Sequence, residues 1–235
     1  MEKIKDKTLY ASPFCAGFWK SAAAEIKSTR TLAFAALFVA LRIAVKSLSV
    51  PISEGLYISV DFFVNSVGSM VYGPLMGLIV GAVSDTVGAV LFPKGAYFFP
   101  FIAVEMLSSF IFGLFLYRSK LGEVRVALSR VAVSLIYNIL VNPVIMKWNY
   151  AVVLGKDYAV FRAARVVKSL VLLPAEMILL VLWVGAASAI TERFGLTYSH
   201  GEKPKITAKS IIIAVLATAV AVLCIVYYLA VYLKK

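Results

Sequence analysis

Runs of about 18 to 25 apolar residues, the length an α-helix needs to cross a hydrocarbon layer about 30 Å thick, recur along this chain between short polar or proline-bearing breaks. The first runs from about Thr31 to Val50 and ends at the turn Pro51 to Gly55. A second, Leu56 to Tyr72, is short and carries Asp61 and Asn65. Gly73 and Pro74 then break the helix, because proline lacks the amide donor and crowds the preceding turn. Leu75 to Phe92 makes a third span, Pro93 to Pro100 a loop, and Phe101 to Tyr117 a fourth span. The basic turn Arg118 to Arg125 leads into a fifth, Val126 to Met146; a longer polar region, Lys147 to Lys168, precedes the sixth, Val166 to Ile190. The pattern predicts an all-α polytopic membrane protein with a six-span domain over residues 31–190. Residues 1–30 read as a basic cytoplasmic or interfacial segment, 191–210 as a cytoplasmic linker, and 211–235 as an additional transmembrane helix.

Composition strengthens the membrane reading. Apolar residues make up 62% of the 235 and charged residues 15%, against roughly 45–50% and 25% in soluble domains. The net charge of +12 therefore points to basic loops that set topology and meet anionic headgroups rather than to nucleic acid. Cys15 and Cys224 lie far apart and suggest no disulfide. An N-in topology places fourteen lysines and arginines inside and nine outside, with Arg42 within the first span. Five of those nine lie between spans five and six with only Asp157 to offset them. An outward basic loop works against topology, so either it binds an anionic solute or its long side chains snorkel at helix ends.

Several chemistries are missing. No phosphate-binding G-x-x-x-x-G-K-[ST] loop is present, so the chain is not by itself an ATP-driven pump. His200 is the only histidine, which leaves no histidine-based metal site or triad; neither an enzyme nor a bound cofactor or metal is expected. Carboxylates inside spans are informative, since Asp at a helix centre costs about 2.5 to 3.5 kcal/mol on insertion scales. Asp61, Asp85, Glu105 and Glu176 hold such positions. Each is a proton or substrate site or the partner of a cation on a neighbouring helix; Asp85, among small residues, reads as structural, while Asp61 and Glu176 lie nearer the predicted outer ends. Two stripes of small residues, Ala36, Ala40 and Ala44, and Gly73, Gly77 and Gly81, permit close helix approach in lipid. Internal packing suits the glycines, and an external partner is an equal alternative for the alanines.

The stretch YGPLMGLIVGAVSDTVGAVLFPKGAYFFPF, followed by a helix ending GLFLYRSK, resembles the substrate-binding S components of energy-coupling factor (ECF) vitamin transporters, most closely their folate-type members. YNILVNPVIMKWNYAVVLGKDYAVFRAARVVKSLVLLPAEMILL resembles their fifth and sixth helices, including the pattern Arg165, Lys168, Pro174, Glu176. The resemblance covers about residues 31 to 190. It implies a six-helix S-component bundle in a bacterial cell membrane that captures a vitamin outside. Such a subunit associates with a transmembrane coupling subunit and two ATPase subunits. It also implies that Ala36 and Ala40 dock the coupling subunit. Tyr97-Phe98-Phe99-Pro100 continues with Phe101-Ile102-Ala103, where folate-type members have glycine, phenylalanine and threonine, and Asp61, Asn65 and Asn142-Pro143 are further departures.

A pterin glutamate requires aromatic faces, an edge-reading amide or carboxylate, and cations for its tail. Tyr97, Phe98 and Phe99 are candidates to stack or close as a lid, opposite Trp148 and Tyr150. Asn138 and Asn142, at i and i+4, are candidates to read the ring edge. Lys94, Arg165 and Lys168 are candidates for the carboxylates. The alternatives are an interfacial aromatic belt and interhelical hydrogen bonding. A different class, an ion-coupled carrier acting alone, would use Asp61, Asp85 or Glu105 as a relay.

Overall fold

The computed structural model describes residues 9–48, 50–53, 56–58, 60–93, 97–155 and 163–197. The seventh span, the linker beyond residue 197 and Lys94 lie outside the described residues. Helix α1 (Ala16–Ile26) meets α2 (Thr29–Ser47) at a 78° bend. Ser28 caps α2 by accepting a hydrogen bond from the Thr31 amide, which satisfies one of the orphan donors of the first turn. A two-stranded antiparallel hairpin, β1 (Val50–Ser53) and β2 (Leu56–Ile58), follows where a simple turn and the start of a helix were expected. Helical structure resumes only at Asp61. The remaining α-helices among the described residues are α3 (Asp61–Leu91), α4 (Phe101–Leu116), α5 (Glu123–Val133), α6 (Asn142–Asn149) and α7 (Ala163–Arg193).

The helical residues of α3 form two limbs that meet at a kink. Gly73 takes φ 80°, ψ 177°, a conformation open to glycine and costly for a residue with a Cβ. Pro74 then starts the second limb, where its missing N–H costs nothing. That the chain reverses here follows from its partners. Arg42 holds Asp61, and Lys46, one turn further along α2, holds Asp85. In a straight helix these two aspartates would stand about 36 Å apart at 1.5 Å per residue. Residues 61–72 and 74–91 are thus antiparallel limbs. Gly77 and Gly81 let the second limb press onto α4: a Cβ on Gly81 would lie 2.8 Å from the Glu105 carbonyl oxygen. The glycine stripe is internal packing.

From α5 the helix continues without a break through π-helical turns at Ser134–Val141, then α6, then a second π-helical stretch at Tyr150–Leu154. The span is therefore longer than the expected Val126 to Met146, and part of the region read as polar loop is helix. Pro143 gives the physical reason for the widening. In α register its ring would crowd the carbonyl four residues earlier and leave it without a donor, and a π turn relieves both. Glu123–Val153 and Ser169–Arg193 are each long and apolar enough to cross a membrane. With α2, the two limbs of α3, and α4, they make an all-helical six-segment bundle.

The core lies where the first limb of α3, α4, α5 and α7 meet, around Met70, Phe112, Leu116, Val126, Leu180 and Val184. At one end Arg30 of α2 donates to the Phe194 carbonyl beyond α7 at 2.9 Å, so the start of α2 and the end of α7 share a face. The opposite end carries the hairpin and the 93–100 loop.

Candidate functional site

Four helical segments bring charge to the hairpin end. Arg42, fully buried, donates through Nε and Nη2 to both Asp61 oxygens at 3.2 and 2.9 Å. Nη2 also donates to Glu105 at 2.7 Å, and Nη1 to Ser109 Oγ at 2.9 Å. Lys46 lies 3.0 Å from the other Glu105 oxygen and 3.5 Å from Asp85. Two cations thus hold three carboxylates, and an uncompensated charge in this setting would cost several kcal/mol. Beneath them Ser109 Oγ donates to Asn65 Oδ1 and Asn65 Nδ2 to Ser108 Oγ, each at 2.8 Å. Tyr137, in the widened helix, donates to Glu105 at 3.3 Å.

The charged members stand near the hairpin-side ends of their segments: Lys46 in the last turn of α2, Asp61 at the start of α3, Glu105 in the second turn of α4. The network therefore forms a polar floor under the hairpin and the 93–100 loop. Asp61, Asp85 and Glu105, candidates for an ion relay, are engaged as ion-pair partners. Asp85, read as structural from its small-residue setting, lies 3.5 Å from Lys46 and accepts from the Tyr97 hydroxyl at 3.4 Å. Glu176, expected near an outer end, sits well inside α7, where Arg130 Nη2 holds it at 2.7 Å and itself lies over the Phe62 ring, 4.1 Å from its centroid. Arg42, a charge inside an apolar span, and Lys46, which the sequence places with the outer charges, prove to be the hub. The signal available in the sequence was one cation inside an apolar span, Arg42, alongside four intramembrane carboxylates, three of which join the hub.

The candidate ligand contacts fall into groups. Phe98 and Trp148 meet edge to face with centroids 5.3 Å apart, bringing the 93–100 loop onto α6. Tyr97 turns to the floor, its hydroxyl 3.4 Å from Asp85 and 3.5 Å from Thr86. Partial burial holds that hydroxyl above the ordinary tyrosine pKa, so it is a neutral donor at physiological pH. Phe99 is 72% exposed and joins no ring pair among the described residues. Asn138 and Asn142 are half-buried and make no hydrogen bond among the described residues. The π-helical turn containing Asn138 moves the pair off strict i, i+4 alignment. Arg165 and Lys168 lie in the first two turns of α7, their side chains outside the described residues. On α2, Ala36, Ala40 and Ala44 are all exposed, free of the packing that occupies the glycine stripe.

Comparison with known proteins agrees with this geometry. Residues 26–173 match the family described as ECF-type riboflavin transporter, S component. The chain is 29% identical to the folate transporter FolT of Clostridium novyi over 158 residues, 66% of this chain and 88% of the relative. It is 28% identical to FolT of Leuconostoc mesenteroides over 151 residues, covering 63% and 81%. A crystal structure of FolT bound with folic acid superposes with a TM-score of 0.57 at 28% identity, covering 64% of this chain and 88% of that one. With the family match spanning residues 26–173 and the bundle superposing on a solved relative, the chain belongs to the S components of ECF-type vitamin transporters, membrane transport proteins rather than enzymes.

Proposed function

We propose that the chain is a high-affinity folate-binding subunit, taking its vitamin at the hairpin end of the bundle. The N-terminus then lies in the cytoplasm of a bacterial cell. Residues 31–190 form the binding domain, 191–210 a cytoplasmic linker and 211–235 a further span. A transmembrane coupling subunit docks on Ala36 and Ala40, and two ATPase subunits supply the energy the chain lacks a phosphate loop to harvest. The observation that carries the reading is the Phe98–Trp148 pair at the hairpin end, in a chain whose relatives of this fold are folate transporters.

The chemistry assigns each candidate a task. A pterin stacks on Phe98 and Trp148, with Tyr97 and Phe99 closing over it. Asn138 and Asn142 offer both donors and acceptors to its edge. Lys94, Arg165 and Lys168 hold the glutamate carboxylates. The matched family description favours a second reading, riboflavin, whose uncharged sugar alcohol chain has no use for the three cations. Mass spectrometry of the purified protein, followed by displacement with excess folic acid or riboflavin, decides between them. Folate retained and displaced only by folic acid supports the first reading; retained riboflavin replaces it.

A further inference from the structure

The matched family region begins at residue 26, and α1 precedes it. This helix is docked firmly. Phe18 and Ala22, one turn apart, are 1% and 0% exposed against Tyr117 at the opposite end of the bundle from the hairpin. Glu25 accepts from the Tyr117 hydroxyl at 3.1 Å, from Arg118 at 3.2 Å and from Thr31 at 2.7 Å. The Tyr10 amide donates to the Arg118 carbonyl at 2.8 Å. The helix is therefore fixed across the start of α2 at 78°, close to perpendicular to a spanning segment.

The side it turns away from the bundle has a definite chemistry. Phe14 is 94% exposed, an expensive position for a phenyl ring in water. Lys20 and Lys27, seven apart and so two turns along one face, are exposed, as is Lys120 in the neighbouring α4–α5 turn. None of the three lysines has an ion-pair partner among the described residues. Trp19, half-buried, turns the other way and stacks on Phe110 of α4 with ring centroids 6.1 Å apart, which helps hold the helix in place. A short helix in the membrane plane, with an apolar anchor and a cationic stripe, is complementary to anionic headgroups.

We infer that the outer face of α1 is a binding surface for anionic phospholipid of the leaflet it touches, with Phe14 entering the acyl boundary and Lys20, Lys27 and Lys120 holding phosphates. This surface is separate from the vitamin site and independent of which vitamin is bound. It uses the N-in orientation only to name the leaflet as cytoplasmic.

The test uses the full chain with Cys224→Ser and an environment-sensitive fluorophore on Cys15, which is exposed beside Phe14. Vesicles of phosphatidylcholine receive headgroup-spin-labelled phosphatidylglycerol or phosphatidylcholine at equal mole fraction. Stronger quenching by the glycerol lipid is expected, with each lysine contributing roughly fivefold to local enrichment. The combined K20E/K27E/K120E variant should abolish the preference while leaving the thermal midpoint and vitamin binding unchanged, since these exposed side chains have no ion-pair partner among the described residues. Equal quenching by the two lipids overturns the inference, as does a preference that survives the triple reversal. Shielding of Cys15 that arises only when coupling and ATPase subunits are co-reconstituted also overturns it, by giving the face to a protein.

Discussion

Arg42 grips Asp61 with two parallel hydrogen bonds, 3.2 Å from Nε and 2.9 Å from Nη2, across 19 residues of sequence. The same Nη2 reaches Glu105 on a third segment, so one guanidinium ties α2, the first limb of α3 and α4 together. Replacing it with methionine takes the guanidinium from both carboxylates and leaves Lys46 to hold Glu105. Arg42→Met should destabilise the protein by about 3–5 kcal/mol, the cost of orphaning a buried ion-pair partner. Arg42→Lys should recover only part of this, because an ammonium lacks the planar fork. The thermal midpoint in detergent measures both, and adding Asp61→Asn to Arg42→Met should restore part of the loss if the pairing is its cause.

The reversal at Gly73 gives a second prediction. Alanine there must hold φ 80° and place its Cβ 3.1 Å from the Tyr117 ring. A positive φ with extended ψ, a region essentially confined to glycine, alone costs roughly 1–3 kcal/mol. Gly73→Ala should therefore lower the midpoint clearly, whereas Pro74→Ala, which leaves the left-handed position to glycine, should change it little. A tolerated Gly73→Ala would mean that the two limbs can be joined by another turn.

What the sequence discloses divides along local and non-local lines. The break at Gly73-Pro74 was legible because glycine and proline punctuate a helix wherever they fall. That the break reverses the chain was legible only through the shortness of the preceding apolar run. The charge hub was half legible: Arg42 and Asp61 each announce a missing partner, but the 63-residue separation of Arg42 and Glu105 is set by packing, not by spacing. The widening around Asn138 escapes any search for a 3.6-residue period, and the hairpin escapes a reading in which a proline only ends a helix. The aromatic loop was legible as composition, yet nothing in it distinguishes Phe98, which meets Trp148, from Phe99, which does not.

The ligand assignment predicts a contrast between two kinds of substitution. Trp148→Ala should weaken folate and riboflavin alike, by about 1 kcal/mol for lost ring stacking. Arg165→Glu or Lys168→Glu should weaken folate alone, by tenfold or more if a charge-assisted contact worth about 1.5–3 kcal/mol is lost. Titration of each purified variant with both vitamins separates the outcomes. Unchanged folate affinity in both reversals would return Arg165 and Lys168 to snorkelling at a helix end.

The two small-residue stripes predict opposite phenotypes for the same kind of change. At Gly81 a Cβ would sit 2.8 Å from the Glu105 carbonyl and 2.9 Å from the Met106 backbone. Gly81→Ala should therefore push α4 away, disturb the hub through Glu105, and reduce stability and vitamin binding together. Ala36 and Ala40 are exposed on α2, so a tryptophan at either has room in the isolated subunit. Ala36→Trp and Ala40→Trp should leave the thermal midpoint and vitamin affinity near the parent values. In cells expressing the coupling and ATPase subunits they should block uptake, because a bulky ring prevents the close approach that small residues allow. Co-purification with the coupling subunit, measured beside uptake, fixes the cause. Lost uptake with lost association supports docking on this stripe, and uptake that continues with a tryptophan at both positions would place the docking surface elsewhere on the bundle.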